Sequence, residues 1–339
     1  MPRRRTLMRA AIGSAVLTAG CGGSPQKAAP KGIDKVIHVT GFGAPGTEAF
    51  TWVAQAKGYF RDANIACTVV PGTAGENNLA TLASGKAHFT EIDYAGALIR
   101  SGTGRFDPYR AVAAIQWQTQ IAWLTLAGNG VNTPAELAHK TVAYQPGSVH
   151  RTLFPIYAKL AGFDPNSVKW VDGTPQTLPG MLANHTVDAI GEYVVSAPAV
   201  RAAARRDITV LAYGDYLHDL YGSVLVTTKN LLQTNRDLVH RYTNALLRGL
   251  QYTVQNPYEA ANILKAAVPA TDLDSASEGI RGMIPYVRPG QNGSPAGALD
   301  QERVARGVAL LQSLGAFTDG YDPMKVCDFG LVDQSAKLQ

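Results

Sequence analysis

The chain has 339 residues, 46% of them apolar, and a formal net charge of +5. Four of the positive charges lie in the first 20 residues, as Arg3, Arg4, Arg5 and Arg9. That segment has no acidic residue, so the rest of the chain carries only +1, which is 5 minus 4. Without a basic stripe, nucleic-acid binding is not expected. The remaining length suffices for two lobes of ordinary size.

The N-terminal segment has the features of a secretory signal peptide, predicted over residues 1–20. Its basic start is followed by a short apolar stretch, Ala10–Ala19, that cannot span a bilayer. The run Leu17–Cys21 resembles the lipobox of bacterial lipoproteins, which implies cleavage before Cys21 and a lipid anchor on that residue. The pair Arg4-Arg5 resembles a twin-arginine signal, so the export route stays open. Residues 21–32, rich in Gly, Pro and Ala, are predicted to be a flexible tether.

The body then alternates β-rich runs with stretches of helical period. In chain order the pattern predicts strand 36–39, helix 48–60, strand 65–70, helix 77–84 and strand 87–92. The rhythm returns as helix 134–138, strand 141–144, helix 148–160, strand 168–171, helix 178–184 and strand 189–190. This alternation indicates α/β architecture with parallel sheets.

Three further strands are expected to connect two lobes. Strand 120–127 lies between the two series, and strands 208–213 and 223–227 follow the second one. We predict a first lobe at 33–124 and 222–339, a second lobe at 125–221, and a two-strand hinge near 120–127 and 222–227. Helices at 236–264 and 300–314, separated by a loop at 285–297, are expected to cover the first lobe.

One motif suggests a cofactor but lacks its partner residue. The loop Gly41–Gly46 fits the pattern G-x-G-x-x-G between a strand and a helix. A dinucleotide site also needs an acid at the end of the next strand, and that strand ends in Val69-Val70-Pro71-Gly72. No cofactor is therefore predicted. The glycines of the loop still permit close approach of a ligand to the backbone at a helix start.

The sequence offers no catalytic or metal-binding constellation. It has no G-x-S-x-G elbow, and its seven histidines show neither H-x-H nor H-E-x-x-H spacing. We therefore expect a binding protein and not an enzyme. Besides Cys21 there are two cysteines, Cys67 and Cys327, and both a disulfide and two buried thiols remain possible.

Five collinear segments resemble one family, the solute-binding lipoproteins of ABC transporters that take up thiamine pyrimidine precursors, taurine, alkanesulfonates or nitrate. They are Ala54–Phe60, Leu79–His88, Thr133–Val142, Leu182–Ala189 and Asn256–Ala261. The resemblance implies a periplasmic-binding-protein fold with a small-molecule solute between the lobes. It also implies an ABC permease with its ATPase as partner. We expect the protein itself to be a monomer on the extracytoplasmic face of the cell membrane.

Ligands of open α/β sheets lie at the carboxyl ends of the strands. The residues predicted to contact the ligand there are Pro45, Asp93, Tyr94, Trp117, Gly147, Ser148, Glu192, Tyr193 and Tyr221. Two acids and several aromatic residues in this set favour a flat, neutral or cationic, nitrogen-bearing solute such as a thiamine pyrimidine precursor. The alternative is a sulfonate or another small anion held by Ser148 and Arg151 at a helix start. An enzyme on the same fold is a second alternative.

Overall fold

The computed structural model describes residues 32–73, 75–102, 104–287, 295–316, 322 and 325–333. The predicted signal peptide, the lipidation site Cys21 and nearly all of the tether lie outside these residues. The described strands are β1 (Asp34–Val39), β2 (Phe42–Gly43), β3 (Ile65–Val70), β4 (Gly72–Thr73), β5 (Phe89–Asp93), β6 (Tyr109–Ala114), β7 (Ile121–Leu126), β8 (Thr141–Tyr144), β9 (Lys169–Asp172), β10 (Ala189–Tyr193), β11 (Ile208–Ala212) and β12 (Ser223–Thr228).

The α-helices follow the strands as the sequence pattern requires. They are α1 (Ala49–Ala56), α2 (Tyr59–Asp62), α3 (Gly75–Ala83), α4 (Tyr94–Gly102), α5 (Val149–Leu160), α6 (Leu178–Ala183), α7 (Ala197–Ala204), α8 (Lys229–Thr234), α9 (Arg236–Gln255), α10 (Pro257–Ala267), α11 (Leu273–Val287) and α12 (Gln301–Ser313). Short 3-10 helices lie at Gly46–Glu48, Pro134–Leu137, Pro165–Ser167, Val194–Ser196 and Tyr213–Asp215.

The strands form two five-stranded sheets, one in each lobe. The first has the order β3-β1-β5-β12-β6 and the second β11-β7-β10-β8-β9. Strands β2 and β4 make a small separate pair. This confirms the α/β, periplasmic-binding-protein-like fold class, two lobes with a two-strand hinge, that the sequence predicts.

Both sheets are mixed, which corrects the expectation of parallel sheets. Strand β12 runs antiparallel to β5 and β6, and β7 runs antiparallel to β10 and β11. These are the first strands after each passage of the chain from one lobe to the other. The passages themselves are residues 115–120 and 213–222, just before the predicted hinge strands. The boundary predicted at residue 124 falls inside β7.

Helices α7 and α8 were not predicted, and other helices differ in their bounds. The predicted helix 48–60, expected to end in a turn at 57–60, is two helices: α1 ends at Ala56, and Gly58, with a φ of 78° in the left-handed region that favours glycine, precedes α2. The predicted helix 236–264 is divided at Asn256, because Pro257 lacks an N–H and starts a new helix. Helix α11 was not predicted, and it covers the first part of the predicted loop 285–297. Gly279, Gly282 and Pro285 weaken its sequence pattern.

Each lobe is built around stacked aromatic side chains. In the first lobe the ring of Tyr242 lies 3.9 Å from that of Phe89. In the second lobe the ring of Tyr157 lies 4.1 Å from that of Tyr213, and the Trp123 indole donates to the Tyr213 hydroxyl at 3.0 Å. Burying such rings contributes to the stability of each lobe.

The two cysteines of the body lie at opposite sides of the first sheet. Cys67 is in the edge strand β3. The backbone of Cys327 makes an isolated β-bridge with Ala111 in β6, at the other edge. Four strand spacings place them roughly 19 Å apart or more. A disulfide needs Cα atoms within about 7 Å. The two thiols are accordingly free.

In the part of the chain that the structure describes, no helix is both long and apolar enough to cross a membrane.

Candidate functional site

The two chain passages between the lobes are joined by backbone hydrogen bonds, and we call them the first crossing (115–120) and the second crossing (213–222). The Gly222 N–H donates to the Gln116 carbonyl at 3.0 Å, and the Thr119 N–H donates to that of Leu220 at 3.0 Å. The second crossing also fixes the start of α4, because the Tyr94 N–H donates to the Gly222 carbonyl at 2.8 Å. The hinge is therefore continuous with the carboxyl end of β5.

The N-terminal turns of α4 and α5 meet across the lobes. Asp93 ends β5, and its Oδ1 accepts a hydrogen bond from the Gly96 N–H at 3.0 Å, as a helix cap does. A Cβ placed on Gly96 would lie 3.3 Å from Cγ1 of Val149, the first residue of α5. The absence of a side chain at Gly96 lets the two lobes approach here.

Tyr193 and the carboxyl groups of Asp93 and Glu192 lie near this meeting point. We call the region the interlobe cleft and define it by Asp93, Gly96, Val149, Glu192 and Tyr193. The Tyr193 ring lies 5.4 Å from that of His150, and the pKa of Tyr193 is raised by burial and by the nearby charges of Asp93 in the first lobe and Glu192 in the second. Its side chain is nevertheless 39% exposed. Tyr193 thus lies in a recess that solvent reaches.

The two carboxyl groups of the cleft are both easier to protonate than usual. Burial raises the pKa of Asp93 to about 6, against the lowering effect of the Gly96 and Ala95 N–H groups and of Arg100. Burial also raises the pKa of Glu192, partly offset by hydrogen bonds from Ser196 and the backbone of Tyr193. Desolvated carboxyl groups facing a recess are suited to accept hydrogen bonds from ligand N–H groups.

The start of α5 carries buried polar atoms that lack partners. The Nε2–H of His150 donates to the Glu192 carbonyl at 2.8 Å, while its Nδ1 has no hydrogen-bond partner among the described residues. Burial lowers the pKa of His150 to about 4, so the ring is neutral at pH 7 and Nδ1 is an acceptor. The Ser148 hydroxyl, at the helix cap, is likewise buried with no partner in the described part of the chain.

An aromatic cluster fills the hinge. The rings of Trp117 and Tyr221 meet edge-to-face at 5.5 Å, and Tyr94 meets Tyr221 at 5.4 Å. The guanidinium carbon of Arg303 lies 4.3 Å from the centre of the Trp117 ring and 4.4 Å from that of Tyr221. Trp117 is partly exposed, whereas Tyr94 and Tyr221 are fully buried.

Helix α11 borders the site along its open side. A Cβ on Gly46 would lie 2.0 Å from the Ala276 carbonyl oxygen, so only glycine fits at this position, directly after Pro45. Further along, Gly282 faces Val195 of the second lobe. The Tyr286 carbonyl accepts a hydrogen bond from the backbone N–H of Trp117 at 2.5 Å. The helix therefore contacts the Gly41–Gly46 loop, the second lobe and the hinge in turn.

The structure brings only some of the predicted ligand contacts together. Asp93, Glu192 and Tyr193 belong to the cleft, and the exposed Gly147 (φ 80°) and Ser148 directly precede Val149 at the start of α5. Pro45 is exposed at the start of its 3-10 helix.

Three side chains considered as ligand contacts lie outside the interlobe cleft. Tyr94 and Tyr221 belong to the buried hinge cluster, because the strand-end rule predicts a position and not the direction of a side chain. Arg151, the expected partner of an anion, lies 3.7 Å from the centre of the Trp170 ring instead.

Two polar residues near the site, Gln120 and Glu48, were not predicted as ligand contacts. Gln120 is buried, and both of its amide atoms lack hydrogen-bond partners among the residues described. Glu48 accepts from the Gly41 N–H at 3.3 Å, and burial and the charge of Glu91 raise its pKa. The sequence signal that could have identified these residues is a polar side chain at the end of an apolar strand or helix. Within the described ranges, no group of three or more His, Cys, Asp or Glu residues could hold a metal ion.

Comparison with known proteins identifies the class first by fold. The aliphatic sulphonate binding protein SsuA of Escherichia coli, a periplasmic protein, superposes with a TM-score of 0.67 at 15% identity, over 88% of this chain and 93% of that one. The desulfurization enzyme DszB superposes with a TM-score of 0.59 at 12% identity, over 88% and 97% of the two chains. At these identities the similarity establishes the periplasmic-binding-protein fold and nothing more.

The sequence comparisons then give the family. The sequence model described as "NMT1/THI5 like" matches residues 47–260, and the chain belongs to that family. The chain is also 23% identical to the formylaminopyrimidine-binding protein of Halalkalibacterium halodurans over 216 residues. That match covers 63% of this chain and 65% of the relative, so the chain matches slightly less than two thirds of the relative's length.

Proposed function

We propose that the protein is an extracytoplasmic solute-binding protein that captures one small molecule between its lobes and delivers it to an ABC permease. The observation that carries the proposal is the cleft in which Asp93 of one lobe and Glu192 of the other converge on a partly exposed Tyr193. Two hydrogen-bonded crossings support this use of the cleft, because they allow the lobes to close by small rotations of a few residues.

The proposed ligand is a flat, nitrogen-bearing solute such as a thiamine pyrimidine precursor. A heteroaromatic ring with amino groups can stack on Tyr193 or Trp117 and donate hydrogen bonds to Asp93 and Glu192. The neutral His150, if its Nδ1 is reached by the closed-state ligand, adds a third acceptor. Membership in the NMT1/THI5-like family and the similarity to a formylaminopyrimidine-binding protein support this chemistry.

A small anion is the second candidate, favoured by the unpartnered Ser148 hydroxyl at the start of α5. The fold shared with a sulphonate-binding protein is compatible with it. Two features count against it. Arg151 lies on Trp170, and two carboxyl groups in the cleft would repel an anion.

An enzyme is the third candidate, because a desulfurization enzyme shares the fold. Catalysis would need a nucleophile or a general acid–base pair in the cleft. Burial raises the pKa of both Cys67 and Cys327 to about 12, so neither is a reactive thiolate. Conversion of a bound ligand by the purified protein would favour this candidate over the binding protein.

Titration calorimetry decides between the ligand classes. We expect a formylated aminopyrimidine to bind to the protein lacking residues 1–21 and taurine not to bind. The affinity for the aminopyrimidine should fall about tenfold between pH 7 and pH 5, because a carboxyl group of pKa about 6 loses most of its charge over that interval. The affinity falls with acid because the protonated carboxyl group of Asp93 is a poorer acceptor for the amino groups of the ligand than the carboxylate.

The variant Asp93→Asn should bind more weakly and lose that dependence on pH. The variant Asp62→Asn, at an exposed carboxylate of α2, should behave as the unchanged protein. Tight binding of taurine without binding of the aminopyrimidine would reject the proposed ligand and move the site to Ser148.

Anchoring through Cys21 is proposed on the lipobox alone. The variant Cys21→Ser should leave the membrane fraction or accumulate as uncleaved precursor, whereas Cys67→Ser should not. Unchanged membrane fractionation of Cys21→Ser would refute the anchor.

A further inference from the structure

One charged residue of the C-terminal helix α12 contacts both crossings at once. Arg303 is only 5% exposed. Its guanidinium lies over Trp117 of the first crossing and over Tyr221 of the second, at 4.3 and 4.4 Å from the ring centres. Its Nη2 donates to the His218 carbonyl at 2.7 Å and its Nε to that of Asp219 at 3.3 Å.

The surroundings make this contact unusual for an arginine. Burial lowers the pKa of Arg303, and the carboxylates of Asp219 and Asp300 only partly compensate. No salt bridge involves Arg303 among the residues described, so two aromatic rings and two peptide carbonyls stabilise its charge. The faces of aromatic rings attract a desolvated cation. The hinge therefore offsets part of the cost of burying the guanidinium.

The same helix is attached to the second crossing at two further points. The Asp300 N–H donates to the Tyr221 hydroxyl at 2.8 Å, and Asp300 caps α12 through the Arg303 N–H at 2.7 Å. Arg306 pairs with the Asp219 carboxylate through two bonds of 3.2 Å. Arg303 differs from Arg306 because it reaches the first crossing as well.

We propose that Arg303 is the positioning residue for Trp117: it covers part of the indole, fixes its orientation at the hinge, and thereby sets both the stacking surface offered to the solute and the freedom of the two crossings. The contribution to solute binding rests on the proposed function. The contribution to the hinge does not, because it concerns the protein without ligand. Arg303 acts through Trp117 and is not itself a ligand contact.

The test compares Arg303→Met with Arg306→Met, which removes the same charge from the same helix but touches no aromatic ring. In the protein without ligand, Arg303→Met should make Trp117 more accessible to acrylamide quenching; the signal is isolated by subtracting the emission of matched Trp117→Phe variants. It should also speed hydrogen exchange in peptides covering 115–120 and 213–222. Arg306→Met loses only its bonds to Asp219 of the second crossing, so it should leave both the quenching of Trp117 and the exchange in 115–120 unchanged.

Binding of the formylated aminopyrimidine should weaken about tenfold in Arg303→Met, which corresponds to about 1.4 kcal/mol. The variant Arg303→Lys keeps a cation over the rings and should recover part of the affinity and of the Trp117 signal. It also serves if Arg303→Met does not fold. Equal quenching and exchange in the Arg303 and Arg306 variants would overturn the proposal. If the unchanged protein binds no aminopyrimidine, the proposed ligand fails, while quenching and exchange still decide the role of Arg303.

Discussion

Two buried histidines, one in each lobe, have different surroundings. In the first lobe His38 is fully buried in β1; its Nε2 is 3.0 Å from the Glu91 carboxylate and its Nδ1 is 2.6 Å from the Tyr242 hydroxyl. In the second lobe His150 is 3% exposed, and only its Nε2 has a partner in the described structure. A buried polar atom without a partner costs about 1–3 kcal/mol.

The difference separates a structural histidine from a functional candidate. Both nitrogens of His38 bind other parts of the first lobe, so the residue connects β1, β5 and α9. The open acceptor of His150 lies beside Tyr193, whose ring centre is 5.4 Å from its own. A buried polar group without a partner calls for an explanation, and a ligand that completes it is one. Three predictions test whether this distinction holds.

The largest effect is expected in the first lobe. The variant Tyr242→Ala removes the ring stacked on Phe89 and the partner of His38, and should lower the free energy of unfolding by about 3–5 kcal/mol. The variant Tyr242→Phe keeps the ring but leaves His38 Nδ1 without a partner, and should cost about 1–3 kcal/mol. Urea unfolding measures both. Tyr258→Ala, at a side chain 58% exposed, is the control. Loss of solute affinity in Tyr242→Phe at full stability would contradict a structural role.

A smaller effect depends on pH in the second lobe. The folded-state pKa of His150 is lowered to about 4, so its contribution to stability is complete above the unfolded value near 6.5 and is lost as the pH falls through 4. The difference is at most about 3 kcal/mol. The variant His150→Gln, whose amide can still donate to the Glu192 carbonyl, should show a flatter decline of the melting temperature between pH 7 and pH 4.

An exposed histidine, His185, is the control for this measurement. His185→Gln should decline with acid as the unchanged protein does. An equal acid response in the His150 and His185 variants would show that His150 is not held neutral by the fold.

The smallest effect on stability is expected at the start of α5. The Ser148 hydroxyl is buried without a partner in the described structure, so Ser148→Ala should leave the free energy of unfolding unchanged or slightly higher. Affinity for the solute should nevertheless fall if the ligand completes this hydroxyl. Ser167→Ala, whose hydroxyl donates to the Asp164 carbonyl, should instead cost a few tenths to about 1 kcal/mol with no change in affinity. A stability loss in Ser148→Ala would mean that the hydroxyl has a structural partner.

Much of the fold follows from local pattern. Period and turn residues predict the strands and the helices that connect them, since each element is determined by neighbours along the chain. The antiparallel course of β7 and β12 depends on where the chain passes between lobes, which no local signal carries. The same holds for α11, whose Gly279 and Gly282 weaken the helical pattern and lie beside Thr47 and Val195.

The sequence predicts where the residues of the candidate site lie along the strands, but not where their side chains point. Asp93, Glu192 and Tyr193 end their strands, and the strand-end rule finds them. The rule also gives Tyr94 and Tyr221, whose side chains turn into the hinge cluster. It does not give Arg303, because the importance of that residue arises from contacts with residues more than 80 positions away in the chain.

The order of strands in the first sheet has a consequence for biosynthesis. Strand β12 lies between β5 and β6, yet it is made only after the whole second lobe. Until residue 228 has left the ribosome, β5 and β6 lack the neighbour that joins them, and each presents an unpaired edge. The second lobe has all five of its strands before that moment. We therefore expect the later part of the chain to be the first to mature, and the nascent protein to expose its aggregation-prone edge in the lobe that began first.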